Sequence, residues 1–258
     1  MIIINSYNQI GGSDSIITAH FGTCQPTPFT NNYQVNTRYD AKTTQTLTNF
    51  SDIMEHLLHL QCDTYLDYSC SSGDIDCGDN QIYTNDNSKL INKEVFLTTC
   101  NQYCTILETI DGKYCIHNDY VKKKIITDDS TVIMIGDLHC SLYSLLEIIK
   151  DLQYKRYIDT RLKLKDNVYL IFLGDLIDRG PFGIEILYIT MQLFINNPNN
   201  IIIVKGNHET PDIYNHYGFN KELANSFNLT DDENKIINKS IIAKPVALFV
   251  KYNTDNKW

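Results

Sequence analysis

Three short clusters in the carboxyl-terminal half of the chain hold side chains able to handle a metal ion and a phosphate group. They are Gly136-Asp137-Leu138-His139, the heptapeptide Gly174-Asp175-Leu176-Ile177-Asp178-Arg179-Gly180, and Gly206-Asn207-His208-Glu209. Two carboxylates, an imidazole and an amide oxygen form a mixed oxygen and nitrogen donor set, which suits manganese, iron or zinc better than an ion that takes oxygen alone. Asp137 and His139 would ligate a first ion, Asp175 would bridge it to a second, and Asn207 would give the second ion a neutral oxygen. Water held between two cations loses a proton near neutral pH and can attack phosphorus. His208 would supply a proton to the leaving alkoxide, with Asp178 orienting it and favouring its protonated form. Arg179 offers a planar fork of donors that matches phosphate oxygens in pairs.

A lone Gly-Asp or Asn-His pair needs only turn chemistry to explain it. Here each cluster follows a short apolar run, respectively Val132 to Ile135, Val168 to Leu173 and Ile201 to Val204. Between the runs, Leu142, Leu145, Leu146 and Ile149, and then Ile184, Leu187, Tyr188 and Met191, recur at the i, i+3, i+4, i+7 spacing of an amphipathic helix. This alternation predicts an α/β unit of parallel strands joined by crossover helices. In such open sheets ligands bind at the carboxyl ends of the strands, so the three clusters should meet at one edge, with Asp175 on the middle strand.

Taken together, the three clusters, their order and their strand context resemble the phosphoprotein phosphatase family of calcineurin-like metallophosphoesterases. Tyr217-Gly218-Phe219 and Lys244-Pro245-Val246-Ala247 resemble its serine/threonine branch more than the dinucleotide-tetraphosphate hydrolases, and the likeness spans roughly residues 132 to 249. The resemblance implies a calcineurin-like sandwich with a βαβαβ core. It also implies hydrolysis of phosphoserine and phosphothreonine in proteins, two divalent ions (Mn, Fe or Zn), a phosphoprotein substrate and a regulatory protein partner. By the same likeness Asp137, His139, Asp175 and Asn207 are metal ligands, His208 is the general acid with Asp178 as its partner, and Arg179 contacts phosphate.

Four departures from the family pattern shape these expectations. Cys140 stands where the motif has a second glycine. The interval from Asp137 to Asp175 is longer than usual, with Tyr154 to Asp166 as the inserted loop. Lys205 replaces the arginine that commonly precedes Gly-Asn-His-Glu. Finally, no histidine follows His216, whereas the family takes two more ligands from downstream histidines. The expectation is therefore the amino-terminal half of a catalytic domain, a truncated sandwich whose second ion is weakly held and whose second sheet layer is largely missing. Two alternatives remain open beside the phosphatase: an impaired pseudophosphatase that binds phosphoprotein or a partner, and a dinucleoside polyphosphate hydrolase suggested by Gly180-Pro181.

The first half of the chain reads differently. Residues 1–125 are rich in Asn, Thr, Asp and Tyr and form an α+β accessory region of uncertain fold ahead of a phosphoesterase domain over 126–258. Phe50, Ile53, Leu57 and Leu60 predict a short amphipathic helix, with His56 and His59 as solvent-facing residues. Thr105 to Ile110 and Lys113 to His117, joined by Asp111-Gly112, read as a hairpin, and residues 67–89 read as a polar loop.

Of the 258 residues, 22 are Lys or Arg and 31 are Asp or Glu, and the net charge of -9 argues against broad nucleic-acid binding. Met1-Ile2-Ile3-Ile4 meets Asn5 and Ser6 at once, too short for an export signal, and no run approaches the roughly 18 apolar residues of a membrane span. A soluble, intracellular chain with no membrane partner is expected. The 8 cysteines show no C-x-x-C pairs, which favours reduced thiols over disulfides or a structural zinc site.

Overall fold

The computed structural model describes residues 2–4, 50–58, 91–112 and 119–252. The apolar runs become the strands of one parallel sheet: β1 (Ile2–Ile4), β3 (Thr131–Ile135), β4 (Val168–Phe172) and β5 (Ile201–Ile203), hydrogen-bonded in the order β1-β3-β4-β5. Ile133 pairs with Leu170, and Leu170 with Ile201, so the ends of β3, β4 and β5 stay level. Helices α3 (Leu142–Tyr154) and α4 (Gly183–Asn196) make the crossovers, which gives the predicted βαβαβ core with β4 in the middle of its three strands.

Side chains of a strand alternate between faces, and the two faces of this sheet meet different partners. Ile133, Ile135, Leu170, Phe172, Ile201 and Ile203 point into the large core beneath the helices. Val132, Ile171, Ile202 and Val204 point the other way, onto Ile126, Leu248 and Val250. Those last three belong to a second, two-stranded parallel layer made of β2 (Val121–Ile126) and β6 (Ala247–Tyr252). The sheet face expected to lack a cover is thus covered by two short strands. Val121-Lys122-Lys123-Lys124-Ile125-Ile126 hides this role because its three lysines mask the apolar alternation.

The helical side is thicker than the crossovers alone would make it. Helix α1 (Phe50–Leu58) forms where its apolar spacing predicts one, and Ile53, Met54 and Leu57 enter the main core. His56 and His59 lie outside what is described of side chains, as do residues 67–89. The predicted hairpin is overturned: Thr105 to Ile110 is the last part of helix α2 (Lys93–Asp111). One face of the helix carries the reason. Phe96, Cys100, Tyr103, Cys104 and Leu107 form a buried stripe, and burial of a helical face outweighs the local strand preference of Thr and Ile. Thr105 and Thr109 satisfy their hydroxyls on carbonyls one turn back, at 2.8 and 2.9 Å. The Asp-Gly signal marks the helix end instead, with Gly112 at φ 84; residues 113–117 lie outside the described residues.

Helix α2 packs across α4 and α7 (Asp231–Ile242), and the Tyr103 and Phe194 rings meet edge-on at 5.0 Å. The inserted loop is pinned rather than loose: Ile158 bridges to Leu164, and the Asn197 carboxamide accepts from Leu164 N at 2.8 Å and donates to Leu162 O at 2.9 Å. Helices α5 (Pro211–Tyr217) and α6 (Phe219–Ser226) follow β5. No helix among the described residues is long and apolar enough to cross a membrane.

Candidate active site

The loops after β3, β4 and β5 converge as their strand ends require. Leu138 N and His139 N both donate to Asp175 O, at 3.0 and 2.9 Å, and Cys140 N donates to Leu176 O at 2.9 Å. These bonds hold sharply turned backbone: His139, Cys140, Asp175, Asp178 and Arg179 all have positive φ, a conformation side chains rarely adopt without compensation elsewhere. Two glycines are required outright. Gly174 sits at φ 99, where a Cβ would fall on Gly206 N, and a Cβ on Gly206 would fall on the Asp175 carboxylate.

Asp137, His139 and Asp175 each offer one ligand atom, and these atoms lie within 4.8 Å of one another. This is the group among the described residues able to hold a metal ion. His139 Nδ1 lies 3.1 Å from Ile177 O, which leaves Nε2 as the free ring atom. Burial pushes the His139 pKa below the usual imidazole value, with Arg179 and His208 adding to the effect while Ile177 O and Asp175 oppose it. A neutral imidazole is the form that ligates, so the donors present fit a divalent ion.

Asn207 sets its carboxamide 3.0 and 3.3 Å from the two Asp175 carboxylate oxygens, with the amide nitrogen facing them. A half-turn of the amide exchanges nitrogen for oxygen, the atom a metal would take. Asn207 and Asp175 thus share one corner of the site.

His208 is buried, with Nδ1 2.8 Å from Asp178 Oδ2 and Nε2 3.2 Å from Arg179 Nη2. Its ring is edge-on to His139 at 4.7 Å and to Tyr217 at 5.3 Å. The second Asp178 oxygen accepts from Phe219 N at 2.9 Å, so this wholly buried carboxylate both orients His208 and anchors the start of α6. All seven residues named from the sequence therefore gather at one sheet edge.

Cys140 is buried beside Gly180, where an added Cβ would come within 2.8 Å of its own Cβ, and it lies outside the metal-capable group. Cys100, Cys104 and Cys140 are free thiols. Lys205 pairs with Asp119 at 2.9 Å. Two contributors escaped the sequence reading. Tyr217 belongs to the Tyr217-Gly218-Phe219 motif, whose spacing carries no sign of the ring contact with His208. Glu209 closed the third motif without a role, yet its buried carboxylate accepts from Asp175 N, Leu176 N and Gly206 N at 2.9, 2.9 and 2.8 Å. Its place directly after Asn-His was the only signal.

Residues 130–253 match the calcineurin-like phosphoesterase family model. The serine/threonine-protein phosphatase 6 catalytic subunit of Caenorhabditis elegans is 32% identical over 107 residues, which is 42% of this chain and 29% of that protein. Serine/threonine-protein phosphatase PP1-1 of Saccharomyces cerevisiae is 34% identical over 99 residues, 38% of this chain and 29% of that protein. Serine/threonine-protein phosphatase SIT4 of Candida albicans is 35% identical over 102 residues, 39% of this chain and 30% of that protein. The chain thus spans 29 to 30% of the length of these relatives. A solved Saccharomyces cerevisiae serine/threonine phosphatase, described as similar to human phosphatase PP5, superposes with a TM-score of 0.50 at 20% identity, covering 62% of this chain and 45% of that one, and shares the fold. The motif loops, their strand order and these matches agree: residues 130–253 are similar to the calcineurin-like phosphoesterase family and, over about 100 residues, to serine/threonine-protein phosphatases.

Proposed function

We propose that this domain hydrolyses phosphate monoesters of serine and threonine side chains in proteins. The observation that carries the reading is the adjacency of two sets of side chains: the Asp137, His139 and Asp175 donors, and the chain Asp178 to His208 to Arg179. Asp137, His139 and Asp175 would hold one divalent ion, and Asp175 with Asn207 a second. Bound there, such ions supply an acidified water and neutralise phosphate charge.

The remaining roles belong to the protein's own groups. Arg179 lies within reach of the site and carries donors in pairs, which suits two oxygens of a phosphate monoester. Turning toward the phosphate takes its Nη2 off His208 Nε2, the atom that then faces the leaving oxygen. Asp178 keeps the His208 ring in place through Nδ1. Once Arg179 has turned away, Nε2 takes up a proton from solvent, and His208 delivers it to the serine or threonine oxygen as the ester bond breaks, so the product leaves as a neutral alcohol.

The test is steady-state hydrolysis of a phosphoserine peptide with added manganese, beside manganese content before and after dialysis. Wild-type protein should retain the ion and turn the peptide over, and Asp175→Asn should lose both. Wild-type protein that neither binds manganese nor releases phosphate would overturn the reading, and a marked preference for a dinucleoside polyphosphate would redirect it.

A further inference from the structure

Glu209 ends the 3-10 turn Asn207–Glu209 after β5 and is wholly buried. A carboxylate placed there is strongly disfavoured unless hydrogen bonds replace its water. Three backbone donors do so: Oε2 accepts from Asp175 N at 2.9 Å and from Gly206 N at 2.8 Å, and Oε1 accepts from Leu176 N at 2.9 Å. Asp175 and Leu176 lie in the loop after β4, Gly206 in the loop after β5, and these strands are neighbours in the sheet. One side chain therefore ties together the loop that carries Asp175 and the loop that carries Asn207 and His208. A second tie runs the opposite way, from His208 N to Asp175 Oδ1 at 3.0 Å.

The space around this clamp is tight. A Cβ on Gly206 would lie 2.8 Å from Glu209 Oε2 as well as on the Asp175 carboxylate, so neither loop can drift toward the other. Ligand loops held within a few tenths of an ångström are what a two-ion site needs, because misplacement of about 1 Å can cost roughly 100-fold in rate.

We propose that Glu209 is a positioning residue, a buried carboxylate clamp that fixes the distance between Asp175 and Asn207 and thereby the spacing of the two proposed ion sites. It touches neither substrate nor metal. All three groups facing it are donors, so an ionised carboxylate is the one side chain of this length that satisfies each of them. Glutamine keeps the shape but must present its NH2 to at least one N–H, and aspartate falls a methylene short of the β4 loop. The inference rests on the metal-dependent reading above.

Two variants of the full chain, Glu209→Gln and Glu209→Asp, test it through four measurements: amide hydrogen exchange by NMR, manganese affinity by calorimetry, the urea midpoint, and steady-state kinetics on a phosphoserine peptide. In Glu209→Gln, which is isosteric, exchange at Leu176 should accelerate about tenfold or more. Manganese affinity should fall about tenfold or more, and kcat should fall while KM holds. Glu209→Asp should be at least as impaired. A purely structural residue would lower the urea midpoint while leaving manganese affinity of the folded protein within about twofold of wild type, and that result would overturn the clamp. Wild-type protein that binds no manganese would defeat the phosphatase reading instead. In that event unchanged exchange at Asp175, Leu176 and Gly206 in Glu209→Gln would reject the clamp, and accelerated exchange would leave its loop-tying role standing without the ions.

Discussion

Arg179 Nη2 lies 3.2 Å from His208 Nε2, while His208 Nδ1 lies 2.8 Å from Asp178. With Nδ1 donating to the carboxylate, Nε2 accepts from the guanidinium, so the atom assigned to proton transfer is covered by the group assigned to phosphate. Phosphate binding by Arg179 would uncover it. Replacing His208 by Asn should therefore lower kcat on a phosphoserine peptide by about 100-fold to 10,000-fold, the usual worth of a positioned general acid. The loss should be much smaller on p-nitrophenyl phosphate, whose leaving group needs little protonation. Equal losses on the two substrates would remove His208 from the acid role.

Arg179→Lys keeps the charge and gives up the paired donors. Its expected signature is a KM raised about tenfold, by the loss of roughly 1 to 2 kcal/mol of charge-assisted hydrogen bonding, with a smaller fall in kcat. Michaelis profiles on the same phosphopeptide read both terms.

Metal retention should depend on pH through His139. Burial holds its pKa below the ordinary imidazole value of 6.5, and only the neutral ring ligates. Manganese affinity should consequently stay level as the pH falls from 8 to about 6.5 and decline only below that. Calorimetric titrations across this range check the midpoint; an affinity already falling between pH 7.5 and 6.5 contradicts the assignment of His139 as a buried ligand.

Lys244 is buried beneath the site, donating to Ser240 O and Ile241 O at 2.9 and 2.6 Å, and burial lowers its pKa from 10.5 to about 8. Below pH 8 the folded and unfolded states both hold the proton, and the full cost of burying the charge is present. Between about pH 8 and 10.5 the unfolded state binds more protons than the folded one, so stability contributed by this group rises with pH. Wild-type protein should gain about 3 kcal/mol relative to Lys244→Met across that window. Urea unfolding of both proteins at pH 7.5 and pH 10 gives the difference directly, and parallel pH profiles would show that the shift is absent.

Much of the site was legible because its chemistry is carried by local sequence. Asp175 and Asp178 sit three residues apart at one strand end, His208 follows Asn207 directly, and a run such as Val168 to Phe172 announces a buried strand whatever surrounds it. The strand order then forces the three loops together. Helix α2 was misread because the segment Thr105 to Gly112 carries strand and turn preferences locally, and only the stripe from Phe96 to Leu107, buried against α4 and α7, decides for a helix.

By itself, then, the amino-acid sequence determined the βαβαβ core and the seven polar residues at its edge, since hydrophobic period and motif spacing are properties of neighbours along the chain. The tertiary structure alone decided that β2 and β6 cover the second sheet face, that Tyr217 lies against His208, and that Glu209 holds two loops at once. Those relationships join groups far apart in sequence, and their strength comes from burial: a hydrogen bond or an apolar contact acquires its value where water is excluded, and which residues lose their water is settled only when the chain has folded.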